Sequence, residues 1–221
     1  MAMAAVEIFS YWRSSAAWRV RIALELKGID YRIHPVHLIQ DGGQQFSQAY
    51  RALSPEALVP SMRHAGFELS QSLAICEYLE ATWPQPALLP ANPQDAARVR
   101  SFCALIACDT HPLNNLRVLR YLEHDLGVAE ATRTRWYHHW LDAALPALEA
   151  RVAARATAFA YADQPGLAEC FLIPQLFNAR RFEIPLEAYP ALLDLEARCL
   201  ALPAFLKSHP DQQPDNPARM A

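Results

Sequence analysis

The stretch YWRSSAAWRVRIAL, residues 11–24, sets two hydroxyls, Ser14 and Ser15, at the start of an amphipathic helical pattern just after a short strand. A serine there can cap the helix by accepting from a backbone N–H of the first turn, or it can do chemistry. A second helix start, at Gln71 and Ser72 in LSQSLAICEYLE, offers a similar choice. Unpaired N–H groups and the helix dipole favour an anion there, while Ser70 could serve as an ordinary cap. Val59-Pro60, read alone, is a proline that starts a strand. Metal chemistry has little support. Cys76, Cys103, Cys108, Cys170 and Cys199 are odd in number, have no C-x-x-C spacing and fall in apolar helical patterns, as small buried hydrophobes would. His138 and His139 are adjacent, so on a helix they point about 100° apart rather than at one ion.

The elements that must position these residues differ between the two halves. Val6, Ile8 and Ser10 alternate with Glu7, Phe9 and Tyr11, the period of a strand. From Ala16 the period changes. Ala16, Val20, Ala23 and Leu24 share a helix face, Arg21 and Glu25 are spaced to pair at i,i+4, and Gly28 supplies a stop. A second strand is predicted over about Asp30 to Val36, followed by a polar loop, IQDGGQQFSQAY, that Gly42 and Gly43 should keep irregular. LVPSMRHAGFELSQSLAICEYLEATW reads as strand, tight turn at Ala65 and Gly66, strand, and helix. The order β-α-β, loop, β-β-α implies a small mixed sheet with helices packed on it.

The segment 82–95, with prolines at 84, 86, 90 and 93, reads as a linker. Beyond it the pattern is helical over about 95–124, 130–155, 167–182 and 189–200, with Pro112 and Pro174 expected to bend or interrupt their helices. The proline-rich tail SHPDQQPDNPARMA is expected to run extended over the surface. The domains are therefore drawn as 1–86 and 87–221. Apolar residues are 52% and charged residues 19% of the chain, which suits a globular protein. A net charge of −3 gives no global field for nucleic acid or an anionic membrane. No apolar run approaches the roughly 18 residues of a membrane span. The start MAMAAVEIF lacks the features of a secretion signal, so a cytoplasmic location is expected.

Six blocks, SSAAWRVRIALELKGIDY, DGGQQF, LVPSM, LSQSLAICEYLE, HPLNNLRVLRYL and IPQLFNARRF, run in order along nearly the whole chain. Together they resemble the zeta class of cytosolic glutathione transferases, the maleylacetoacetate and maleylpyruvate isomerases. The resemblance implies an α/β plus all-α architecture: a thioredoxin-like domain with a four-stranded mixed sheet, then an all-helical domain carrying much of the substrate pocket. It implies glutathione as cofactor, no metal, and a homodimer. The backbone of Val59, before a cis Pro60, would pair with the extended tripeptide. Gln71 and Ser72 would hold its γ-glutamyl carboxylate, Gln45 its other end, and Asn115 would add a further contact. Ser14 would donate to the thiolate, with Ser15 as neighbour or cap, because a free thiol with a pKa of about 8.5 is mostly protonated at neutral pH. Arg13 and Arg181 would grip substrate carboxylates and assist an enolate, although each could instead be a solvated arginine. Arg180 reads as the surface member of its pair, and His111 and Arg117 are candidates to line the pocket.

The family pattern is broken twice. Relatives commonly read S-S-C-S-W where this chain has S-S-A-A-W, so Ala16 and Ala17 remove a second thiol and a hydroxyl. Isomerisation through glutathione's own thiolate is expected to survive this. Gly166 and Glu169 stand where relatives have a threonine and an aspartate forming a capping box, leaving half of it. The resemblance therefore points to a glutathione-dependent cis-trans isomerase. Glutathione transfer to small α-haloacids, or their dehalogenation, and a non-catalytic glutathione-fold binding protein are the alternatives.

Overall fold

The computed structural model describes residues 5–220; residues 1–4, part of the start that reads as carrying no secretion signal, and residue 221 of the tail lie outside the described residues. The chain divides into two compact units, residues 1–88 with 200–221 and residues 89–199. Residues 200–221 thus differ from the drawn boundary: they fold with the first unit rather than with the helical one.

The first unit begins β1 (Val6–Ser10), α1 (Ser15–Lys27), β2 (Tyr31–Pro35), α2 (Gln48–Leu53), β3 (Ser61–His64), β4 (Phe67–Ser70) and α3 (Ser72–Thr82). One four-stranded mixed sheet results, in the order β2-β1-β3-β4, with β1 parallel to β2 and the other pairs antiparallel. A parallel pair needs a crossover, and α1 supplies it. Its end is set by Gly28, at φ 64°, whose N–H returns to carbonyls of the last turn. Ala65 and Gly66, both at positive φ, turn β3 into β4 as a two-residue hairpin requires. The buried face of β1, Val6 and Ile8, joins Val20, Ala23 and Leu24 of α1 and Ile75 and Leu79 of α3 in the core.

The glycine loop is more regular than expected. Two 3-10 turns, Gln40–Gly42 and Gln44–Phe46, precede α2, which Ser47 caps by accepting from the Tyr50 N–H. Such turns close a bond over three residues, so they survive beside Gly42 and Gly43 where an α-helix would not. The first part of the linker is also held. The buried Lys27 ammonium meets Glu80 at 2.6 Å and donates to the carbonyls of Trp83 and Pro86, while Glu80 accepts from the Leu88 N–H.

The second unit contains α4 (Pro93–Ala104), α5 (Leu116–Arg120), α6 (Glu130–Ala153), α7 (Leu167–Arg181) and α8, which runs Pro190–Leu200. Asn92 caps α4 ahead of Pro93, the first-turn position where a missing N–H costs nothing. The expected 95–124 helix passes into π-type turns at Leu105–Thr110, breaks around Pro112, and resumes as α5 and a π-type turn at Tyr121–Asp125. Pro174 does not interrupt α7. Every residue from Leu167 to Leu176 is buried, so packing holds the backbone helical across the lost bond. Four cysteines are buried as expected; Cys108 is exposed, a correction to the buried pattern.

Gly166 is the α7 cap and has no side-chain oxygen, whereas Glu169 Oε2 accepts from the Gly166 N–H at 2.7 Å. Half the box stands. Gly166→Thr should therefore raise stability by a few tenths of a kcal/mol; a urea midpoint unchanged from wild type would count against that gain.

The tail is not extended. It folds into α9 (Pro203–Ser208), a 3-10 turn at Pro210–Gln212 and α10 (Pro217–Met220). Its prolines start these helices instead of preventing them, because proline's fixed φ suits a first turn. Phe205 and Ser208 are fully buried, and α9 packs on α1.

Candidate active site

Strand register gathers the first unit's candidate residues. Ser10 pairs with Pro35, Phe9 with Ser61, and Ser61 with Ser70. The ends of β1, β2 and β4 and the start of β3 therefore share one end of the sheet. Arg13 and Ser14, the glycine loop, Val59-Pro60 and Gln71-Ser72 all emerge there. Helices α1 and α3 both begin at that end, so the positive poles of two helix dipoles accompany these residues.

Ser14, not Ser15, is the cap of α1: its Oγ accepts from the Ala17 N–H at 3.2 Å. Of the two roles expected for Ser15, neighbour or cap, it is the neighbour, and Ser14 itself caps the helix. Ser15 is the first helical residue and is buried. One hydroxyl can serve both purposes, since the cap uses a lone pair and donation to an anion uses the proton. Arg13 is half-buried, its guanidinium 5.3 Å from the centre of the Trp12 ring.

Gln71 occupies the cap position of α3 at φ 71° and makes no side-chain cap bond. A non-glycine residue in that region is strained, and Gln71 is exposed at the sheet end. Ser70 does not cap; it donates to Glu56. Ser72 is buried, and its Oγ accepts from Nη1 of Arg19 at 3.3 Å. Val59 precedes Pro60 through a cis peptide, and no backbone hydrogen bond joins Val59 to another described residue. Gln45 is buried beneath its own loop: Nε2 donates to the Leu38 carbonyl, and Oε1 has no partner among the described residues. Gly43 sits at φ 106°, a conformation that L side chains rarely adopt, and a Cβ there would in addition have to displace that amide, 2.6 Å away.

In the second unit, Asn115 caps α5 by accepting from the Arg117 N–H, and its amide lies 3.2 Å from His111 Nε2. These three residues are brought together locally. Arg181 is exposed at the end of α7, where Nη1 donates to Asn178 Oδ1 and the guanidinium lies 5.5 Å from the Phe182 ring centre. Arg180 pairs with the buried Glu196. Among the described residues no group of three or more side chains is arranged to hold a metal ion. None of the described helices is long and apolar enough to cross a membrane.

Two arginines beside the site were not among its candidate residues. Arg19 and Arg21 are almost wholly buried on α1. Arg21 does not pair with Glu25, which accepts instead from the Tyr31 hydroxyl; it bonds to Ser10, Trp12 and Ser208. The available signal was two arginines in an otherwise apolar WRVRIAL run.

The family model for the glutathione S-transferase N-terminal domain matches residues 13–82. A maleylacetoacetate isomerase of Pseudomonas aeruginosa is 44% identical over 96% of this chain and 100% of its own. A holo structure of maleyl pyruvate isomerase, a bacterial zeta-class glutathione S-transferase, superposes with a TM-score of 0.91 at 40% identity, covering 95% of this chain and 99% of that one. A maleylacetoacetate isomerase of Anaeromyxobacter dehalogenans with glutathione bound in its active site gives 0.86 at 40% identity, covering 98% and 100%. Such likeness along nearly the full length of each chain assigns the family: this chain belongs to the zeta-class glutathione transferases, the family of the maleylacetoacetate and maleylpyruvate isomerases.

Proposed function

We propose that the protein is a glutathione-dependent cis-trans isomerase of maleylacetoacetate or maleylpyruvate. The observation that carries this is the near-full-length identity to an enzyme of the first name, with a TM-score of 0.91 to one of the second. Glutathione thiolate adds to the activated cis double bond, the resulting single bond rotates, and elimination returns the trans isomer with the thiol unconsumed. The Ser14 hydroxyl donates a hydrogen bond to the thiolate and keeps its proton, assisted by the α1 dipole. Val59 pairs with the tripeptide backbone, Gln71 and Ser72 take the γ-glutamyl carboxylate, and Asn115 adds a contact. Gln45 is assigned to the other end of glutathione, and its inward amide makes loop packing the route by which it would act. Arg13 and Arg181 serve as carboxylate anchors, with His111 and Arg117 lining the substrate's surroundings. On the family resemblance we assign the enzyme to aromatic-compound and tyrosine breakdown, as a cytoplasmic homodimer.

The test is to follow the ultraviolet absorbance of each diketo acid with and without glutathione. No glutathione-dependent change for either would sink the proposal, and turnover of α-haloacids alone would favour the transferase alternative. Arg181→Ala should raise KM for the diacid roughly ten-fold and leave KM for glutathione within about two-fold. An effect confined to glutathione would contradict its role.

A further inference from the structure

Two residues before Ser14, the Trp12 peptide is held from both sides. Its N–H donates to Asp215 Oδ2 at 2.8 Å, and its carbonyl accepts from Arg21 Nη2 at 3.0 Å. The same guanidinium donates to Ser10 Oγ at 2.9 Å and to the Ser208 carbonyl at 3.1 Å. One buried side chain thus ties the end of β1, the turn that follows it, and the tail. The tail is itself braced: Trp18 Nε1 donates to Ser208 Oγ, and Gln213 Nε2 donates to the carbonyls of Ser208 and His209. This bracing presents Asp215 to the turn.

Ser14 N–H closes on the Tyr11 carbonyl at 3.0 Å, which makes Trp12 and Arg13 the central residues of a tight turn. Fixing the Trp12 peptide therefore fixes the direction in which Ser14 and Arg13 leave it. Burial pulls the Arg21 pKa down to about 10, while Tyr31 and Asp215 draw it upward. A buried charge of this kind is costly, and an aliphatic residue would cover the same helix face without that cost. What an aliphatic residue could not do is hold three polar partners in one geometry.

We propose that Asp215 and Arg21 are positioning residues for the thiolate chemistry, and that the carboxyl-terminal tail is thereby a working part of the active-site scaffold. This rests on the reading of Ser14 as thiolate partner. Other titratable groups around the clamp include His209, which feels Asp211 and Arg21, and Tyr31, which feels Glu25 and Arg21; the Asp215 variants leave both side chains in place.

The experiment titrates the thiol of bound glutathione by its thiolate absorbance, and measures kcat and KM, in wild type, Asp215→Ala and Asp215→Asn. The alanine variant should raise the thiol pKa by about half a unit and lower kcat roughly ten-fold, with KM for glutathione within about two-fold of wild type. The asparagine variant keeps an acceptor for the Trp12 N–H and should fall between the two. A folded alanine variant with wild-type thiol pKa and kcat overturns the proposal. Should alanine prove too unstable to titrate, the asparagine variant decides, and wild-type values there overturn it equally. A wild-type enzyme that holds no glutathione thiolate removes the reading of Ser14 and this proposal with it; a wild-type thiolate unchanged in both variants removes the clamp alone.

Discussion

Ser14→Ala should lower kcat/KM by about two orders of magnitude and also cost about 1 kcal/mol of stability, whereas Ser14→Gly should lose the activity and keep nearly all the stability. The two effects separate because one hydroxyl has two jobs. Its lone pair caps α1 through the Ala17 N–H, and its proton is what a thiolate would accept. Alanine removes both. Glycine leaves the first turn open to water and costs a helix start only a few tenths of a kcal/mol, yet it offers sulfur no donor. Loss of a hydrogen bond to a charged partner, about 1.5–3 kcal/mol, sets the size of the kinetic effect. Threonine at the same position retains both functions and should restore activity in part. Steady-state kinetics with glutathione varied, together with thermal unfolding, check the pattern. Equal kinetics in all four proteins would remove Ser14 from the mechanism, and equal losses of stability in alanine and glycine would remove the cap.

What could be read in the sequence was whatever depends on neighbours a few residues apart. The alternation of β1, the stop at Gly28 and the turn at Ala65-Gly66 are local, and each stands where it was expected; α1 forms as read but is not amphipathic, since every residue from Ser15 to Leu24 is buried. Arg21 was misread for a related reason. An arginine four residues before a glutamate looks like a surface pair, but its fate is decided by Ser208, 187 positions away. The tail misled similarly. Its prolines argue against long helices but permit short ones, and only the packing of Phe205 and Ser208 within the first unit, where α9 meets α1, makes those short helices worth forming. Neither the left-handed backbone of Gln71 nor the inward turn of Gln45 has a local signature, since glutamine prefers neither arrangement. The candidate site was legible as a set of residue types at family spacing; the arginines and the tail that brace it were not.

Glu169→Ala should destabilise the protein by about 2–5 kcal/mol, far more than a half-formed capping box suggests. The carboxylate is nearly fully buried at 2% exposure, and each oxygen accepts one backbone N–H at 2.7 Å: Oε2 from Gly166, within the box, and Oε1 from Ala160, outside it. Alanine would leave both donors without their acceptor, at about 1–3 kcal/mol each. The charge is not the stabilising element. Burial raises the Glu169 pKa, and the bonds from Gly166 and Ala160 pull it back only in part. With the folded value above the unfolded one, this group's titration contributes stability that is fully present below the unfolded pKa and is lost as pH rises through the folded one. Above the folded pKa the acceptors carry the contribution, against an unfavourable burial of charge. Glu169→Gln should consequently fall between wild type and alanine, since its amide keeps one acceptor oxygen while its NH2 must face the second donor. It should also flatten the decline in stability on going from acid to neutral pH. Urea unfolding at several pH values measures both. An alanine variant within about 0.5 kcal/mol of wild type would mean that the Ala160 and Gly166 N–H groups find other partners, and that α7 does not depend on Glu169 for its start.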